Sequence, residues 1–168
     1  MRCSGRSVLL LAAVTAALGA PARAEVPAPP FADPLLEQLV GKWKLTRQIH
    51  GSRAENVVTA QWVLQHQFLQ LTMREVTGRP GYEALVLIGR GVDGYVVHWC
   101  DSFGGRLSAL GQGKRSGSSI EFAFRYPSGP FYNTFTWNPR TKGWTFRMEN
   151  VGKDARRVLF AVDTLRRP

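Results

Sequence analysis

Residues 91–111 read Gly-Val-Asp-Gly-Tyr-Val-Val-His-Trp-Cys-Asp-Ser-Phe-Gly-Gly-Arg-Leu-Ser-Ala-Leu-Gly. Gly91 and Gly94 bracket a turn. Tyr95, Val97 and Trp99 then alternate with Val96, His98 and Cys100, the period of two that marks a strand with two unlike faces. The Asp101-Ser-Phe-Gly-Gly run turns the chain, with the Asp101 carboxylate suited to fix the turn through the backbone. Leu107, Ala109 and Gly111 carry the chain back. The stretch is a β-hairpin.

The same period extends in both directions. Upstream, Trp43, Leu45 and Ile49 alternate with Lys42, Lys44, Thr46 and Gln48, and Val58, Ala60, Trp62 and Leu64 alternate with Val57, Thr59, Gln61 and Val63. Leu69, Leu71 and Met73 follow, then a Gly-Arg-Pro-Gly breaker over 78–81, then an apolar strand over 82–88. Downstream, a Gly/Ser turn is predicted over 114–119. Ile120, Phe122, Phe124 and Tyr126 share one face of the next strand; Phe131, Asn133, Phe135 and Trp137 share one face of another. Trp144, Phe146 and Met148 precede a last strand, on which Val158, Phe160 and Val162 alternate with Leu159, Ala161 and Asp163. That makes nine or ten strands joined by short turns, so sequence neighbours pair antiparallel. A meander of this length must hide its edge strands, and closure does so without added parts. The predicted fold is all-β: a closed antiparallel up-and-down barrel with one short N-terminal helix, occupying residues 33–168 as a single domain.

The helix is predicted from Asp33-Pro34, an N-cap followed by proline at the first helical position, and from Leu35, Leu36, Leu39 and Val40 on one stripe. Gly41 is placed to stop it. Residues 25–32 are Pro/Ala-rich and read as a flexible leader. Residues 1–24 carry the marks of a secretory signal: Arg2 and Arg6, an apolar run over 8–18 shorter than the ~20 residues of a membrane span, and Ala22-Arg23-Ala24 as the cleavage site. The expected location is therefore periplasmic or secreted, with no transmembrane segment in the mature chain. Removal of the signal takes away Cys3 and leaves Cys100 alone, so stability is expected to come from core packing.

The chain of 168 residues carries a formal charge of +10, and cleavage would remove three of its arginines. Basic proteins meet anionic partners. Here the basic residues are scattered, and no strand combines a dense basic face with repeated exposed aromatics, so a nucleic-acid platform is not expected. A basic exterior that meets anionic envelope polymers is the surface alternative. The interior is the more distinctive feature. Trp43, Trp99, Phe122, Phe124, Phe135, Trp137, Trp144, Phe146 and Phe160 collect on one alternating face. Such rings either fill a barrel or line a pocket for an apolar ligand.

Gly41-Lys42-Trp43, a Gly-x-Trp on the first strand just after a short helix, resembles the start of a lipocalin or related calycin barrel. With Gly91-Val-Asp-Gly-Tyr95, His98-Trp99-Cys100-Asp101-Ser102, Gly105 and Gly111-x-Gly113, the chain resembles the bacterial lipocalin-like family called domain of unknown function 1579, with its Tyr-x-x-x-Trp-x-Asp core. The resemblance covers about 35–165. It implies a closed antiparallel barrel with a hydrophobic interior and carries over no catalytic residue. In lipocalins a basic residue near the last strand packs over the early Trp, and Arg156, Arg157 or Arg166 is placed to do this for Trp43.

Taken together, these readings describe an exported binding protein that holds an apolar or amphipathic small molecule in the barrel. Its candidate ligand-binding residues are Trp43, Arg47, Tyr95, His98, Trp99, Phe122, Phe124, Asn133 and Phe135, with Arg47, His98 or Asn133 as orienting polar groups. No catalytic residue, metal or cofactor is assigned. Haem ligation or catalysis through His98 is the alternative. His98 and Cys100 share a face two residues apart, beside Asp101, but no third metal ligand with recognisable spacing and no nucleophile elbow accompanies them.

Overall fold

The computed structural model describes residues 28–76 and 81–168. The predicted signal, residues 25–27 of the leader and most of the Gly-Arg-Pro-Gly breaker lie outside them. One helix, α1 (Pro34–Glu37), precedes ten strands: β1 (Gly41–Ile49), β2 (Ser52–Val63), β3 (Phe68–Glu75), β4 (Glu83–Gly91), β5 (Gly94–Asp101), β6 (Ala109–Ser116), β7 (Ser119–Tyr126), β8 (Gly129–Asn138), β9 (Gly143–Val151) and β10 (Arg157–Arg166). Each strand pairs with its sequence neighbours, and β1 pairs with β10 to close the barrel, every pairing antiparallel. The predicted up-and-down barrel is thus observed, with ten strands.

Three local departures have physical causes. The helix stops at Glu37, and Gly41 opens β1 with φ +117 instead of ending the helix. The turn predicted over 114–119 shrinks to Gly117-Ser118, because Gly117 takes a left-handed φ of +56 that lets two residues reverse the chain. The third departure is in β10. A bulge between Leu159 and Ala161 leaves Phe160 unpaired and shifts the phase of the strand. Ala161, Asp163 and Leu165 are therefore buried, where unbroken alternation had put Asp163 on the face opposite Phe160.

One end of the barrel is plugged. A four-residue helix has no independent stability, and this one is held by the barrel's own rings. The carboxylate of its N-cap Asp33 accepts from the Leu35 and Leu36 amides at 2.8 and 3.0 Å. It also accepts from the Tyr95 hydroxyl on β5 at 2.6 Å. At the other end of the helix, where carbonyls have no intrahelical partner, the Trp43 indole donates to the Leu39 carbonyl at 2.6 Å and the Trp144 indole to the Gln38 carbonyl at 3.3 Å. Leu35, Leu36 and Leu39 are thereby driven into the barrel end, each less than 5% exposed.

Above the plug the interior is filled. Phe135 and Phe146 stack at 3.6 Å between centroids, and Phe122 packs edge-on to Phe135 at 5.1 Å. These rings need room, and β6 supplies it. Its two buried positions are Gly111 and Gly113, where a Cβ would come within 2.8 Å of the Phe124 ring and 2.7 Å of the Phe122 ring. Trp43 is covered from outside by a cation. It is Arg167, with its guanidinium 3.8 Å from the ring and donating to the Val40 carbonyl at 2.9 Å. Arg156, Arg157 and Arg166 do not fill this role. Leu165 points inward, so period two turns Arg166 outward and Arg167 back over the barrel end; Arg157 is engaged on the outer wall by Glu121 and Tyr132.

Candidate functional site: a cup at the open end of the barrel

Among the described residues, nothing plugs the other end. There the inward positions of the strands surround a cavity of about 470 Å³. Its layer nearest the packed core holds Arg47, Asn56, Trp99, Phe124, Asn133 and Met148, the inward residues of β1, β2, β5, β7, β8 and β9. Above them stand Tyr126, Phe131 and Phe160. Glu75, Asp101, Phe103, Leu107 and Ser128 form the rim. The loop that carries Phe103 and Leu107 is set by Asp101, whose carboxylate accepts from the Phe103 amide at 3.0 Å. Phe103 leans on Tyr82 at 5.7 Å yet is largely exposed.

Polar chemistry concentrates at the bottom of the cup. The Arg47 guanidinium donates from Nε and a terminal nitrogen to the two Asp163 oxygens at 2.8 and 2.7 Å, a forked pair on adjacent strands in direct register. Burial pushes the Asp163 carboxyl above the ordinary carboxylate value, against the pull of the Arg47 bonds. The same guanidinium lies 4.9 Å from the Tyr82 ring, and the Tyr82 hydroxyl accepts from the Trp99 indole at 3.2 Å. Burial raises the Tyr82 phenol, as it does that of Tyr126, which is pushed up to about 12; both are neutral at physiological pH.

Among the described residues, two buried groups remain without partners. The side-chain oxygens of Asn56 and Asn133 are buried and accept no hydrogen bond from the protein. Both residues are at most 2% exposed, and both line the cup. Buried polar groups are nearly always paired. Two orphans in one layer of one cavity are the feature by which this site departs most from a simple core.

The predicted ligand-binding residues divide three ways. Arg47, Trp99, Phe124 and Asn133 meet in the cup. Trp43, Tyr95, Phe122 and Phe135 lie in the packed half, where they clamp α1 or build the core. His98 is corrected: it is exposed on the outer wall, edge-on to Phe68 at 6.4 Å, because it alternates with the inward Val97 and Trp99. It neither orients a ligand in the cup nor offers an imidazole to a haem there. Cys100 shares that outer face and is exposed. Among the described residues no histidine lines the cup; His50, in the β1–β2 turn, sets its ring 5.4 Å from Phe160. Asn56, Tyr82 and Asp163 were missed. Asn56 was within reach of the pattern, since it continues the inward phase of Val58 and Ala60. Tyr82 sits beside the breaker, and Asp163 enters only through the bulge.

The crystal structure of Rv2717c from M. tuberculosis matches this chain with a TM-score of 0.55 at 13% sequence identity, covering 81% of this chain and 98% of that one. At that identity the likeness is one of fold. No protein-family model matches the sequence, and no curated protein matches it. No helix among the described residues is long and apolar enough to cross a membrane.

Proposed function

We propose that the protein is an exported carrier or sensor that holds an apolar or amphipathic small molecule in the open half of the barrel. The observation that carries this reading is the contrast between the two halves. One half is packed to the centre by Phe122, Phe135, Phe146 and the helix plug; the other keeps a cavity walled by Trp99, Phe124, Phe131, Met148 and Phe160. Its volume falls within the roughly 300–1,000 Å³ usual for small-molecule sites. Binding would draw on apolar burial, worth about 25 cal/mol per Å². Kinship with the lipocalin-like barrels is supported by the Gly41-x-Trp43 start, the covering Arg167 and the closed ten-strand meander. Export is supported by the signal features of residues 1–24.

The test is native mass spectrometry of the protein purified from its own host, followed by denaturation and analysis of released compounds. A mature mass beginning at Glu25 and a co-purifying apolar compound are expected. In parallel, the emission of a naphthylamine dye should rise on binding, and Ala54→Trp, which places a ring among the cup residues, should abolish the rise. A dye signal unchanged in Ala54→Trp, or no dye binding together with a ligand-free mass, refutes the reading.

A further inference from the structure

The chemistry at the bottom of the cup narrows the ligand, on the premise that the cup is the binding site. We infer that the bound molecule enters polar end first and that this end is neutral and donates hydrogen bonds, as an alcohol or a carboxamide does, and is not a carboxylate. Four observations carry this. The oxygens of Asn56 and Asn133 are buried acceptors without donors. A carboxylate only accepts and would leave both unpaired, whereas the two N–H groups of a carboxamide can pair with both and the single O–H of an alcohol with one of them. Arg47, the one cation lining the cup among the described residues, already has two of its nitrogens bonded to the two oxygens of Asp163. It is therefore a weak counter-charge for an incoming anion. The rim, in a protein of formal charge +10, carries the carboxylates of Glu75 and Asp101, which repel an anion at the entrance. Finally, Tyr126, Phe131 and Phe160 stand above this layer with Ile49 and Ala54, so the polar end of an amphiphile finds hydrogen-bonding partners at the bottom and its apolar body is covered on the way out.

Three probes of equal chain length separate the alternatives: decan-1-ol, decanamide and decanoate, titrated at neutral pH against the full chain by calorimetry. The alcohol and the amide are expected to bind at least about tenfold more tightly than decanoate, since an unpaired buried acceptor costs enough to shift affinity by that factor or more. Asn56→Leu and Asn133→Leu, made singly and together, should each weaken decanamide about tenfold, and at least one of them should weaken decan-1-ol, while decanoate changes little. Thermal unfolding and circular dichroism establish that the variants are folded, and either single variant suffices should the double fail. Decanoate binding as tightly as the neutral probes overturns the head-group inference and leaves the cup as a binding site. Neutral probes unaffected by both Leu substitutions overturn it as well. If none of the three binds the wild-type protein, the inference falls together with the cup.

Discussion

Asn133→Leu should make the ligand-free protein more stable. Asn133 faces the interior of β8, between Phe122 on one neighbouring strand and Met148 on the other, and is 1% exposed. Its side-chain oxygen is buried with no donor. Such a group carries a desolvation cost of about 1–3 kcal/mol. Leucine has nearly the same volume, so the change neither opens a hole nor overpacks the layer, and it adds apolar contacts to Phe122 and Met148. The expected gain is about 1–2 kcal/mol. At roughly 2–4 °C per kcal/mol for a chain of this size, the melting temperature should rise by about 2–8 °C. Urea titration followed by circular dichroism, on protein stripped of ligand, measures it: the midpoint should move up and the slope should stay constant. A loss of 1 kcal/mol or more, with strand content intact, would mean that the amide is already satisfied and would remove the ground for a polar ligand end at this position. The stabilised variant should bind ligand less well, which is the pattern of a residue kept for binding at some cost in stability.

The same layer should give the opposite sign at Asp163. Asp163→Asn leaves the Arg47 charge buried and uncompensated, and chemical denaturation should show a loss of about 3–5 kcal/mol. At the plugged end, the Tyr95 phenol is pushed up to about 12, chiefly by burial and then by its bond to Asp33, so it stays a donor across the physiological range. Tyr95→Phe should cost about 1.5–3 kcal/mol and raise amide exchange in residues 35–38, measured by hydrogen exchange. On the outer wall, hydrogen bonds from Arg157 hold the Glu121 carboxyl below its ordinary value. A depressed carboxyl contributes stability above its unfolded value of about 4.3 and loses it as pH falls through the folded value. Glu121→Gln should therefore be less stable than wild type by about 0.2–1 kcal/mol at neutral pH; denaturation at stepped pH should show that gap closing below pH ~4. A gap that widens in acid would contradict the assignment.

Much of the barrel was legible because period two is a local property. Each strand records which residues face inward, and the short turns leave antiparallel pairing as the economical topology. The helix cap at Asp33-Pro34 is also local, and it is where the sequence placed it. The inward phase of β1, β5, β7 and β8 put Arg47, Trp99, Phe124 and Asn133 inside, again from alternation alone. His98 was a matter of weighing chemistry above phase: the alternation that turned Trp99 inward had already turned His98 out.

Tertiary structure decided the rest. Which half of the barrel is solid depends on where α1 docks, and that docking rests on bonds from Tyr95 and Trp144 to residues distant in sequence. The buried Arg47–Asp163 pair exists because one bulge at Phe160 reverses the phase of β10, and a bulge is a choice between pairing registers that the residues of one strand do not reveal. The orphaned amides of Asn56 and Asn133 have the same character. Each residue alone reads as an ordinary polar side chain on a strand. Only closure of ten strands, which sets the two in one buried layer and leaves open space above them, turns them into acceptors waiting for a donor.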